Sequence, residues 1–141
     1  MVQDKIRFVA LSAIMERTPS WICNKMNRLL VNGKQAEFMP VDLPLINDSM
    51  QALGDKIEES LVVYSNDRSE VIAQVKALAA LVSLPYIYTE CLKVKKSWYT
   101  NLTKACSEGH RVSSFSDDDI TRINMAAMQI ANEIRSLEYT L

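Results

Sequence analysis

The chain has 141 residues, with 16 Lys+Arg against 17 Asp+Glu for a net charge of −1, and 48% of it is apolar. That length suits one domain, or a small module with a helical extension, and the apolar content at near-zero net charge excludes a disordered chain. No run of about 18 apolar residues is present, and Asp4, Lys5 and Arg7 stand where a signal peptide needs its apolar centre, so a soluble intracellular protein with no membrane partner is expected.

Glycine is scarce, at three residues, and strand-like alternation is nearly absent, so the expected fold class is all-α. A first helix is expected over Asp4 to Met15. Thr18 as N-cap and Pro19 at the first helical position start a second, which runs to Leu30 and ends at Asn32-Gly33. A polar loop leads to Met39, and a third helix spans Pro40 to Leu53 with Gly54 as its stop. Asp67 and Glu70 open a fourth, with Val71, Ile72, Val75, Leu78, Ala79 and Val82 on one face. After a break at Leu84-Pro85, Ile87, Cys91, Val94, Trp98, Leu102 and Ala105 form a further stripe that ends near Gly109.

The last helix starts at Ser116 and is expected to continue to the C-terminus. Its acidic run Asp117-Asp118-Asp119 fits the positive end of a helix dipole far better than a metal site. Ile120, Ile123, Ala127, Ile130, Ile134, Leu137 and Leu141 recur at spacings of three and four. Such a seam joins helices between chains or within one, and both readings stand at this stage.

Enzyme constellations are missing. The single histidine, His110, has no nucleophile motif around it, and Cys91 and Cys106 lie fifteen apart with no Cys-x-x-Cys pair, which argues against zinc. Three glycines in all cannot build a phosphate-cradling loop or a dinucleotide fingerprint, so no catalytic residue, metal or cofactor is expected. The cysteine count is odd and irregularly spaced, which suits a reducing compartment.

Charge is unevenly placed. Residues 1–39 hold six basic groups against three acidic ones, and the remainder ten against fourteen. Within that basic head, Leu11, Ile14 and Met15 make the apolar face of a short helix, Glu16 to Thr18 a turn, and Ile22, Met26 and Leu29 the buried side of a second helix. This is the pattern of a helix-turn-helix, whose second helix presents its outer face to the DNA major groove. Ser20, Trp21, Asn24, Lys25 and Arg28 are then expected to point mainly outward. Asn24 suits an adenine edge, Lys25 and Arg28 suit guanine acceptors or phosphates, and Ser20 with the helix N-terminal amides suits phosphate oxygens. Trp21 fits either a sugar or thymine-methyl contact or burial against a neighbouring helix.

The stretch Thr18-Pro19-Ser20-Trp21-Ile22-Cys23-Asn24-Lys25-Met26-Asn27, followed by Phe38-Met39-Pro40-Val41-Asp42-Leu43-Pro44-Leu45-Ile46-Asn47-Asp48, resembles the DNA-binding head of CII-type transcriptional regulators of temperate bacteriophages. The shared features are Asn24-Lys25 beside the apolar Met26, and Phe38-x-Pro40 opening the next helix; the helix from Ser116 also looks like the last helix of that family. The turn departs from the usual pattern, with Glu16-Arg17 where a glycine is common.

The resemblance implies a helix-turn-helix head over residues 1–54 and a helical oligomerisation or effector region over 55–141. It implies a phage or prophage regulator of the lysogeny/lysis decision that binds double-stranded DNA as a dimer or tetramer, with RNA polymerase as a further partner. Arg17, Thr18, Ser20, Trp21, Asn24, Lys25, Arg28 and Lys34 would form the DNA-binding set, with Lys5, Arg7 and Gln35 flanking it on phosphates. Ile120, Ile123, Ala127, Ile130, Ile134 and Leu137 would join copies. The rival reading is a helical adaptor or inhibitor that binds a protein partner, suggested by the acidic body and seven Met.

Overall fold

The structure, a computed structural model, describes residues 4–28, 30–31, 33–104 and 113–139, and it is mostly helical. Helix α1, Phe8–Met15, buries Leu11, Ser12 and Met15; the Ser12 hydroxyl donates to the Val9 carbonyl at 2.9 Å, so its burial leaves no polar atom unpaired. Glu16 ends the helix in the left-handed region (φ 56, ψ 42) that glycine usually occupies, and helix α2, Pro19–Met26, follows with Ile22 buried. The expected extension of α2 to Leu30 does not form. Asn27 caps the helix, Arg28 turns left-handed (φ 51), and Leu29 lies outside the described residues.

What the sequence presents as a polar loop contains an antiparallel hairpin, β1 (Leu30–Val31) paired with β2 (Lys34–Gln35), with Gly33 at φ 80 between them. A single 3-10 turn, Pro40–Asp42, then feeds helix α3, Leu43–Glu59. Gly54 lies inside α3 and does not stop it. A Cβ there would overlap the Arg135 side-chain stem and stand 3.0 Å from the Ala131 carbonyl, so this glycine marks where α3 crosses helix α7 (Asp117–Ser136) at close range.

Helix α4, Arg68–Ala79, starts where expected, with the Asp67 carboxylate accepting from the Ser69 amide at 2.9 Å. The stripe expected over 87–105 is broken. A short helix α5, Leu84–Tyr86, runs into a wide turn at Ile87–Cys91; Lys93 then takes φ 58, and helix α6 begins afresh at Lys96–Thr103. Cys91 is therefore exposed instead of facing the core, while Ala105, Cys106, Gly109 and His110 lie outside the described residues. In α7, Ser116 and Asp119 exchange side-chain to backbone hydrogen bonds, each 3.0 Å, so Asp119 is a capping residue, with Asp117 and Asp118 beside it in the first turn.

One contiguous apolar core joins these elements, from Leu11 and Ile22 through Met50, Leu53 and Ile57 to Ile123, Ile130 and Ile134. The N-terminal strand-like residues are stitched to the end of α4: Ile6 bridges Val82, and the Arg7 amide donates to the Leu81 carbonyl at 3.0 Å. A boundary at residue 54 consequently falls within α3, not between elements. Helix α7 ends at Ser136, short of the expected C-terminus; Leu137 is extended and Leu141 lies outside the described residues. No helix among the described residues is long and apolar enough to cross a membrane.

Candidate nucleic-acid interface

Helix α2 is held from three directions. Thr18 caps its start, the hydroxyl accepting from the Trp21 amide at 3.1 Å, and Pro19 occupies the first turn, where no amide is needed. Ile22 anchors it in the core. The third hold is polar: Lys25 Nζ donates to the Glu37 carbonyl and to Asp42 Oδ2, both at 2.9 Å.

Asp42 is the pivot of this brace, only 9% exposed. Its carboxylate also accepts from the Met39 amide at 2.7 Å. Burial pushes the Asp42 carboxyl up, but the Met39 amide, the Lys25 ammonium and the Arg17 charge outweigh it and hold the group below the usual carboxylate range. Aromatic rings continue the brace. Trp21 meets Phe38 edge-on at 6.3 Å between ring centres, and Phe38 meets Tyr139 at 5.7 Å. Tyr139 is itself fixed, its amide donating to Asn47 Oδ1 at 2.7 Å and its carbonyl accepting from Asn47 Nδ2 at 3.2 Å. The segment after α7 therefore returns to the elements that support α2.

These contacts sort the residues singled out from the sequence. Arg17, Thr18, Ser20, Arg28 and Lys34 are exposed, and Asn24 is half-buried on the α2 face opposite Ile22. Trp21 is half-buried against Phe38, with Arg17 Cζ at 5.6 Å and Lys25 Nζ at 4.9 Å from its ring centre. Lys25 departs from the outward expectation because Asp42 and the Glu37 carbonyl draw its ammonium inward. Lys5 also lies elsewhere than expected: its ammonium pairs with Glu133 on α7 at 2.8 Å, while Arg7 and Gln35 are exposed.

The α7 stripe has its partner inside the chain. Ile120, Ile123, Ala127, Ile130 and Ile134 are buried in the core that α7 shares with α3, and Leu137 packs against that core from beyond the helix end. An apolar seam that is already covered offers no surface to a second copy. Three features escaped the sequence reading. Asp42 sits three residues after Met39 in a helix-start pattern, and Asn32-Gly33 between short β-competent pairs is a hairpin signal. Tyr139 had no local signal, since only the tertiary fold brings it to Phe38.

Among the described residues no cluster of three or more His, Cys, Asp or Glu is placed to hold a metal ion. Residues 5–62, from the strand-like N-terminus to just beyond α3, are similar to a family described as a domain of unknown function (DUF5053). No curated protein and no solved structure matches the chain.

Proposed function

We propose that this chain is a sequence-specific DNA-binding transcription regulator in which α1, the Glu16–Thr18 turn and α2 act as a helix-turn-helix, with α2 entering the major groove. The observation that carries the proposal is the mounting of α2. An eight-residue helix is capped, anchored through Ile22 and braced through Lys25 and Asp42 on its inner sides, while Ser20, Arg28 and the open part of Asn24 face outward. Rigid mounting with an open polar face is what base readout needs, since a bidentate contact tolerates little displacement.

In this reading Asn24 reads a base edge. Arg17, Ser20, Arg28 and Lys34 position the protein on phosphates, and Thr18 and Lys25 hold α2 at its angle. The CII-like residues extend the proposal to a phage or prophage regulator of the lysogenic choice that works on RNA polymerase as a homo-oligomer. One short recognition helix binds modestly, and joining copies on repeated half-sites multiplies affinity. With the α7 stripe buried, the joining surface lies elsewhere on the chain.

Fluorescence anisotropy on the duplex preceding the protein's own reading frame and on a scrambled duplex, each at two salt concentrations, tests the proposal. The expected result is tighter binding to the native segment, falling steeply as salt rises. Retention of neither duplex at low salt would overturn it.

A further inference from the structure

The Leu30–Gln35 hairpin does little for the fold: Leu30, Gly33, Lys34 and Gln35 are all exposed, and Leu30 keeps 76% of its surface open. A two-stranded ribbon on its own is marginal in water, so β1 and β2 gain little by pairing alone. A Cβ built on Gly33 meets nothing within 4 Å, so the space beside this glycine is open. Both stems are nevertheless tied to α2. The outgoing stem leaves from Arg28, directly past the Asn27 cap, and the returning stem is fastened where Glu37 accepts from Lys25 and Phe38 meets Trp21.

The hairpin thus follows α2 in the chain, and its return is fastened back to that helix. Arg28 to Gly33 is five residues, a reach of up to about 16 Å for extended chain, against a major groove about 12 Å wide. Arg28 at its root and Lys34 near its bend are exposed, and among the described residues neither makes an ion pair. We infer that the hairpin is a second DNA-binding element, which grips the sugar–phosphate backbone beside the groove that α2 occupies, with Lys34 on a phosphate. The inference rests on the DNA-binding reading of α2 and adds to it the hairpin as a separate gripping element with its own flanking footprint.

The test uses the full chain on a duplex that the protein itself enriches from a random library, with salt titrations and hydroxyl-radical footprints of the wild type, Lys34→Ala and Asn24→Ala. Lys34→Ala is expected to weaken the enriched and a scrambled duplex by the same factor, about eightfold at 0.1 M salt, the gain from releasing one counterion. It should also lower the salt slope by about one and open a patch of sugars outside the bases whose identity Asn24→Ala relaxes. An unchanged slope and footprint for Lys34→Ala, with Asn24→Ala still weakening the enriched duplex, would overturn the hairpin's role and leave α2 as the reader. Enrichment of no duplex by the wild type, with the hairpin instead retaining a protein, would overturn both.

Discussion

Two residues of the head carry its strain and its brace. Glu16 holds a left-handed conformation (φ 56) that disfavours a side chain, because its amide and that of Arg17 close the end of α1 onto the Ala13 and Ser12 carbonyls. Glu16→Gly relieves that strain, and urea denaturation should show a gain of about 1 kcal/mol. Asp42 works in the opposite direction, gathering the Met39 amide and the Lys25 ammonium on one carboxylate. Asp42→Ala leaves the Lys25 charge without its partner and is expected to cost about 2 kcal/mol. Because the folded carboxyl titrates below its ordinary value, its contribution is complete above about pH 4 and is lost as pH falls from there through the folded value. Denaturation midpoints of the wild type should therefore drop across that acid window more than those of Asp42→Ala, and parallel curves would remove Asp42 from the brace.

At the scale of elements, the helix starts that carry a cap were legible in the sequence and most ends were not; α1 ends at Met15 as expected but begins at Phe8 instead of Asp4, and the start of α6 at Lys96 was not foreseen. Thr18-Pro19, Asp67 and Ser116 all cap the helices they announce, since capping is a local exchange of hydrogen bonds within a few residues. Ends depended on neighbours. Gly54 reads as a stop, yet α3 runs on to Glu59 because Ile57 has core to enter and the missing side chain admits Arg135 and Ala131 of α7. Gly54→Ala should accordingly destabilise the protein by about 1–3 kcal/mol through overpacking, despite the roughly 1 kcal/mol that alanine gains in an open helix. A stabilised variant in chemical denaturation would mean that the two helices do not approach as closely as this. Of the residues expected to point outward from α2, Ser20 is exposed and Asn24 half-open, whereas Trp21 packs on Phe38, Arg28 lies past the helix end, and Lys25 takes its direction from Asp42, seventeen residues away.

Across the whole molecule, head and body share one core. Helix α7 completes the site under α3, the residues before α1 pair with the end of α4, and Tyr139 returns to Phe38 beneath Trp21. Trp21 lies in α2 and Trp98 in α6, so the two rings report on different elements. Ile123→Ala, a fully buried truncation in α7, should cost about 2–5 kcal/mol and shift the unfolding monitored at Trp21 and at Trp98 together, read in single-tryptophan variants. Separate transitions would make the head an independent unit. The division at residue 54 came from the resemblance and from Gly54 read as a helix stop, and it falls inside α3 because that glycine serves the approach of α7. The proposed role of α2 in reading DNA is checked by enriching duplexes from a random library with the full chain and with Asn24→Ala. A defined motif is expected for the wild type, with preference lost at one position in the variant and a loss of about 1–3 kcal/mol on the original motif. Equal binding of all sequences by both proteins, or of none, would contradict it.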